Sequence, residues 1–523
     1  MKKLFYTLAL SALVFAACVP LDTPPYDRET DLTFWEEDSN SALSALNTCY
    51  TYLTGMYELV YSDGMTDNAY VKGGQNQAIG NGKYGTSEGY VYDVWNSHYA
   101  GIRACNELLT NIDRVPNLDP ALKARYIAEA RTLRAWNYYE LYVRFGGVPY
   151  LDKPVSIQEA REATRETATS LASKIKAELQ DVIDGNVLPE SYSGADQGRV
   201  TKWTVYALLA RTCLFDGEFA RVRDLTANIM NNSNITLYPS YSGLFSVAAE
   251  ECSEIMLSTQ YMPISREQNI MYNTIPPSMG GYSNLAPLKS LVDSYIMLNG
   301  KAITETGSGY DESHPWDNRD PRLAATVMYP GNSYPVNGGV IEPDWNGRDA
   351  FNSTSDVTPT GYYIRKWWDP TYRLTLQSAL NAIIIRYADV LLMNAEAHAE
   401  LGTLDATVWN ATIRAIRERA GFTESAALDF PSQGNLKAIV RNERRSELAF
   451  EGTRRNDIIR WRTAETVLNG WCHGMYTGET VGTDNGFVRV EERQFDPSKH
   501  YLWPIPQKER DLTNNNLEQN PNW

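Results

Sequence analysis

Trp95, Tyr99, Ile102 and Asn106 recur at spacings of four, three and four, which places them on one face of an α-helix. The same periodicity runs through much of the chain. Ser39 can cap a helix that continues to about residue 61. Asp119-Pro120 supplies a cap and a first-turn proline for a helix to Phe145, and Gly146-Gly147 stops it. Further helices are predicted over 168–183, 201–215 and 218–230, and later over 381–401, 406–420, 436–450 and 454–468. They form helix pairs of roughly solenoid size, without a tetratricopeptide consensus.

Between about 231 and 375 the period is lost. Pro, Gly, Asn and Tyr are frequent there, and short apolar runs such as 254–260 read as strands. A loop-rich stretch this long is usually functional or holds structure that the pattern misses. The last fifty residues read as irregular. The expected fold is therefore mainly α: tetratricopeptide-like helix pairs packed against a large irregular portion with short strands.

The first residues read as a bacterial export signal. Lys2 and Lys3 precede an apolar run, 4–17, that is shorter than the ~20 residues of a membrane-spanning helix. Cys18 follows Ala16 and Ala17, as in a lipobox, where the cysteine becomes the lipidated first residue. The polar, proline-containing residues after it suit a tether, so the expectation is a lipid-anchored protein. The expected organisation is a signal peptide over 1–17, a lipidated linker over 18–38 and one domain over 39–523. In that domain 39–230 and 376–470 form a helical scaffold around the loop-rich part.

Charge narrows the partners. The 523 residues carry a net charge of −16, which argues against a nucleic-acid partner, since phosphates are bound by basic patches. The five cysteines beyond Cys18, at 49, 105, 213, 252 and 472, form no CxxC pair, so no zinc site is indicated. Being odd in number, they leave at least one unpaired. Tyrosines (33) far outnumber phenylalanines (13), which suggests many half-wet aromatic surfaces.

Three constellations resemble catalytic or metal sites. Gly85-Thr86-Ser87-Glu88-Gly89 fits GxSxG, but a nucleophile elbow needs a strand before the serine, and Gly80-Asn81-Gly82-Lys83 is not strand-like. Glu443 and Glu447 lie one helical turn apart, yet Arg441, Arg444, Arg445, Arg454 and Arg455 crowd them. Arginines depress carboxylate pKa values, whereas a glycosidase acid needs one raised, so the pair reads as a structural ion network. Asp344, Asn346 and Asp349 only faintly resemble an oxygen-ligand loop for calcium, without EF-hand spacing. The five histidines show no paired ligand spacing. No cofactor is expected.

Several stretches together resemble the SusD/RagB family of surface glycan-binding lipoproteins. They are Leu133-Arg134-Ala135-Trp136 through Phe145-Gly146-Gly147-Val148-Pro149, Asn318-Arg319-Asp320-Pro321-Arg322-Leu323, and Ile385-Arg386-Tyr387-Ala388-Asp389-Val390-Leu391-Leu392. Asn442-Glu443-Arg444-Arg445 through Phe450-Glu451-Gly452-Thr453-Arg454, and Leu502-Trp503-Pro504-Ile505-Pro506 with Gln519-Asn520-Pro521, complete the set. Asn522-Trp523 stands where the family usually ends in Gly-Tyr, and Arg455 replaces a usual aromatic.

The resemblance implies a non-enzymatic protein of the outer-membrane surface. It would capture an oligo- or polysaccharide and sit over a SusC-like TonB-dependent transporter. The motifs themselves read as structural, so the ligand site is expected in the loops. Asp67, Asn68 and Tyr70 lie where relatives carry glycan contacts, Tyr272 and Tyr282 at another contact loop, and Arg365 on a strand, while Lys366 beside it reads as structural. Trp95 is a further candidate, although it continues a core stripe. Flat aromatic platforms with Asp, Asn or Arg beside them suit a sugar's CH faces and hydroxyls.

Overall fold

The computed structural model describes residues 30–523 apart from 38–39 and 337–338, so the export signal, Cys18 and Ser39 lie outside the described residues. The long helices are Gly89–Asn111, Pro120–Phe145, Ala168–Gly185, Lys202–Phe215, Phe219–Asn232 and Tyr387–Leu401. Their ends follow local chemistry. The Asp119 carboxylate accepts from the N–H groups of Ala121 (3.0 Å) and Leu122 (2.9 Å), and Pro120 fills the first turn. Thr201 and Thr204 cap the helix Lys202–Phe215 reciprocally. Gly147 permits the turn after Phe145, since a Cβ there would meet the Glu166 carbonyl oxygen at 1.9 Å.

Four sequence expectations are corrected. A helix, Asp31–Glu37, occupies part of the expected tether, with Trp35 buried and Arg114 paired to Asp31 (2.9 Å) and Glu36 (3.1 Å). The helix expected over 39–61 is broken into Ser41–Tyr50 and Met56–Tyr61, where Gly55 turns extended and the Met56 N–H donates to the Tyr261 hydroxyl (2.8 Å). The helix expected from 381 begins as a strand, Ala382–Arg386, antiparallel to Ile255–Thr259. Its run of three isoleucines is β-branched and wholly buried, which favours strand over helix. The last fifty residues are not irregular throughout. Strands Asn469–Tyr476 and Phe487–Gln494 pair antiparallel, and Thr483–Asp484 extends the sheet.

Later helices are shorter than expected. Leu436–Glu447 stops before Phe450, whose φ is +61°. Helix Arg454–Arg460 ends two residues before Arg462, which is also left-handed at φ +56°. The helix predicted over 406–420 contains a π turn at Asn410–Arg414.

The two largest apolar clusters account for most of the buried hydrophobic residues. One is built by the helix pairs and includes Trp95, Trp136, Trp203 and Trp503. The other lies under the loop-rich part and includes Ile270, Met271, Leu285, Tyr334, Tyr363 and Trp367. The described residues also hold a buried ion network, in which Arg386 meets Glu254 (2.9 Å), Glu447 (2.7 Å) and Glu451 (2.6 Å), and Arg322 meets Asp320 (2.7 Å), Glu443 (2.7 Å) and Glu447 (2.9 Å). Arg444 joins Asp389 (2.5 Å) to Asp457 (2.8 Å). Residues of three of the motifs therefore converge on one network, although the motifs lie far apart in sequence.

Candidate functional site

The segment around Asp67 is built from beneath. A short 3₁₀ turn, Ser62–Met65, leads into strand Ala69–Val71, which pairs antiparallel with Leu285–Pro287. Asp67 and Asn68 are buried rather than open to a ligand. Asp67 is clamped by Arg445 (2.9 Å) and Arg454 (2.8 Å). Burial pushes its carboxyl up, but the two guanidinium groups outweigh that and hold it at about 2. Asn68 donates to Asp63 (3.0 Å) and accepts from Arg445 Nε (2.8 Å). Both residues thus form the floor beneath the loops.

Tyr70 is half-buried on the strand, opposite Ala286, and its hydroxyl accepts from Gln77 Nε2 at 3.2 Å. Gln77 also donates to Glu491 (2.9 Å). Arg365 donates to the Ala324 carbonyl (2.8 Å) and lies 5.0 Å from the Tyr334 ring centre, and burial pulls its pKa down. Trp95 is 3% exposed, edge-on to Phe145 at 5.1 Å, within the helical core. It also lines a small pocket of about 190 Å³ with Tyr99 and Glu509, away from the Asp67 floor.

Tyr272 and Tyr282 behave differently. They are 38% and 39% exposed, and their ring centres lie 4.4 Å apart with planes inclined at 58°. The backbone holds them together: the Tyr282 N–H donates to the Tyr272 carbonyl at 2.8 Å. Between them the chain turns tightly through Pro277–Met279, Gly280 (φ +94°) and Gly281. A Cβ on Gly281 would meet the Ile275 carbonyl oxygen at 2.1 Å, so only glycine fits. Asp349 fixes the far side of the turn, accepting from the N–H groups of Ser278 (2.7 Å) and Asp344 (2.6 Å). The pair is thus a rigid aromatic platform. Asn273, next to Tyr272 in the chain, accepts from Asn284 (2.9 Å), whose backbone carbonyl accepts from the Lys72 N–H (2.7 Å).

The structure therefore gathers Tyr272 and Tyr282 directly, and Asp67, Asn68 and Tyr70 with them through one β ladder. Arg365 belongs to the loop-side core and Trp95 to the helical core. Lys366 is buried among Tyr241 (2.9 Å), the Ala449 carbonyl (2.9 Å) and Glu451 (2.5 Å), in a structural setting. Sequence reasoning missed Trp471 and Tyr476, exposed at 44% and 55% on the C-terminal sheet. No period-two alternation marks them, since Tyr476 shares the parity of Cys472 and Gly474, and glycines at 470, 474, 478, 482 and 486 break up the run.

Other constellations are occupied. Glu443 and Glu447 are wholly buried against arginines, which hold both carboxyls below the usual range despite burial, the reverse of a general acid. Ser87 lies in a turn before helix Gly89–Asn111. The oxygens of Asp349 that a calcium ion would need already accept three donors, from Ser278 and Asp344. Glu58, His98 and Glu140 place potential ligand atoms within 4.8 Å of one another, but Arg144 engages both carboxylates and would face a bound cation. Cys49, Cys105, Cys213, Cys252 and Cys472 form no disulfide among the described residues. No helix of the described residues is long and apolar enough to cross a membrane.

Comparison with known proteins agrees with this architecture. Residues 253–523 match the SusD family, and residues 21–214 match a family described as starch-binding, associating with outer membrane. A SusD-like protein of Formosa agariphila is 25% identical over the full length of both chains. A SusD-like carbohydrate-binding protein of Bacteroides fragilis shares the fold with a TM-score of 0.82 and 26% identity, over 92% of this chain and 99% of that one. A laminarin-binding SusD-like protein superimposes with a TM-score of 0.70 at 22% identity, over 92% of this chain and 99% of the other.

Proposed function

Because the chain belongs to the SusD family, we propose that it is a cell-surface glycan-binding lipoprotein, held at the outer membrane through Cys18. It captures an oligo- or polysaccharide and delivers it to a SusC-like TonB-dependent transporter, without cleaving it. Relatives described as carbohydrate-binding and laminarin-binding support the ligand class. The observation that carries the reading is the exposed Tyr272–Tyr282 pair, inclined at 58° on a glycine-locked turn. Two rigid ring faces accept the CH faces of a sugar, and the amides of Asn273 and Asn284 stand near for hydroxyls. Asp67, Asn68 and Arg365 serve as the frame that holds these loops, Tyr70 flanks them, and Trp95 acts in packing.

The test is calorimetry against a polysaccharide panel, with an assay for released reducing sugar. Each aromatic–sugar contact contributes on the order of 1 kcal/mol. Tyr272→Ala or Tyr282→Ala should weaken binding several-fold, and the double mutant should lose most of it while melting as wild type does. Unchanged affinity in the double mutant removes the pair from the site. Release of reducing sugar would replace the binding reading with a hydrolase.

A further inference from the structure

Strand Asn469–Tyr476 runs beside the short helix Lys289–Ser294, and a groove of about 400 Å³ opens between them. That volume falls in the ~300–1,000 Å³ of small-molecule sites. Trp471 forms one wall. The Arg489 guanidinium lies 5.5 Å from its ring centre, yet the indole stays 44% exposed. Exposed tryptophan is costly to leave idle beside a formed groove, whereas a flat, braced indole is the platform a sugar ring needs.

The polar lining offers both donors and acceptors. Arg445 is partly buried and fixed through Nε to Asn68 (2.8 Å) and through Nη2 to the Asp67 carbonyl (3.1 Å) and Ser290 hydroxyl (3.3 Å), leaving Nη1 with no hydrogen bond among the described residues. Asp293 contributes carboxylate oxygens. A hydroxyl both donates and accepts, so a polyol satisfies such a mixture.

The charges decide which glycans fit. Lys289 is paired with Asp293, Arg445 and Arg454 are held by Asp67 with Asp63 behind it, and His473 (2.8 Å) and Arg489 both engage Asp484. No cation in this set is left over to hold a carboxylate or sulfate. The net charge of −16 further disfavours polyanions.

We infer that this groove is a second saccharide subsite for a neutral glycan, with one ring stacked on Trp471 and its hydroxyls read by Arg445, Ser290 and Asp293. The inference rests on the glycan-binding reading above. Tyr282 and Lys289 flank strand Leu285–Pro287, so seven residues at ~3.4 Å each put their Cα atoms at most about 25 Å apart. A multi-ring chain can therefore engage the groove in addition to the tyrosine pair.

The experiment is calorimetry of wild type, Trp471→Ala, Trp471→Phe and Tyr272→Ala/Tyr282→Ala. The ligands are a soluble glucan, mannan and xylan, with a pectin and a sulfated galactan as acidic probes. The expected result is binding to a neutral polysaccharide that Trp471→Ala weakens about fivefold or more and Trp471→Phe largely restores, at an unchanged melting temperature. Affinity that survives in Trp471→Ala while the tyrosine double mutant loses it overturns the groove alone. An acidic glycan whose binding depends on Trp471 overturns the neutral class. A wild type that binds none of the five defeats the glycan-binding reading, and the groove proposal with it.

Discussion

Asp63 has no exposure to solvent, and its Oδ1 has no hydrogen-bond partner among the described residues. Burial lifts its pKa to about 6, against the opposing donors on Oδ2, Asn68 Nδ2 (3.0 Å) and the Phe450 N–H (2.6 Å). The folded state thus binds this proton more tightly than the unfolded chain does. Stability falls as pH rises from about 4 to about 6 and stays lower above that, by at most ~3 kcal/mol for two pKa units. Asp63→Asn should therefore stabilise the protein relative to wild type at pH 7.5 and hardly at all at pH 4. Urea denaturation at the two values checks this, and a pH-independent difference would refute it. Glu447 is the opposite case, a carboxylate bound by Arg386, Arg322 and Arg419. Glu447→Ala leaves those charges uncompensated and should cost roughly 3–5 kcal/mol, read as a lower denaturation midpoint. Melting like wild type would show that the network relaxes around the loss.

At the scale of elements, the turn between Tyr272 and Tyr282 depends on Gly281. Gly281→Ala must push the turn off the Ile275 carbonyl and tilt the platform. The expected outcome is glycan affinity lowered as far as in Tyr282→Ala, with a melting temperature within a few degrees of wild type. A variant that binds normally would show the tyrosines to be dispensable in this arrangement. The same scale shows what the sequence reveals. Helices with a cap and a stop in their own residues, such as Asp119-Pro120 to Gly146-Gly147, were legible to within a residue. Ala382–Arg386 was not, because an apolar run suits helix and strand alike until its partner Ile255–Thr259 is known. Among the candidate residues, the exposure of the two tyrosines on a Gly-rich loop could be recognised. The burial of Asp67 and Asn68 could not, since it depends on Arg445 and Arg454 far along the chain.

At the scale of the whole molecule, the lipid anchor proposed at Cys18 would set where the proposed binding face works. Cys18→Ala should abolish incorporation of labelled palmitate in cells and release the protein from the membrane fraction. Equal labelling of the mutant would assign the lipid to another residue or to none. The family match spans both halves of the chain, and ion pairs such as Arg211 with Asp389 and Arg454 with Asp67 join them. That joining has a consequence for the order of events as the chain folds. Asp63 and Asp67 wait for Phe450 and Arg454, 387 residues later in the chain. Such distant partners close late, because loop entropy is lost before the contact forms. The helix pairs can assemble from near neighbours while the chain is still emerging. The floor beneath the proposed ligand face cannot, so a chain cut short before residue 450 should keep much of its helix while Asp63 and Asp67 lack those partners.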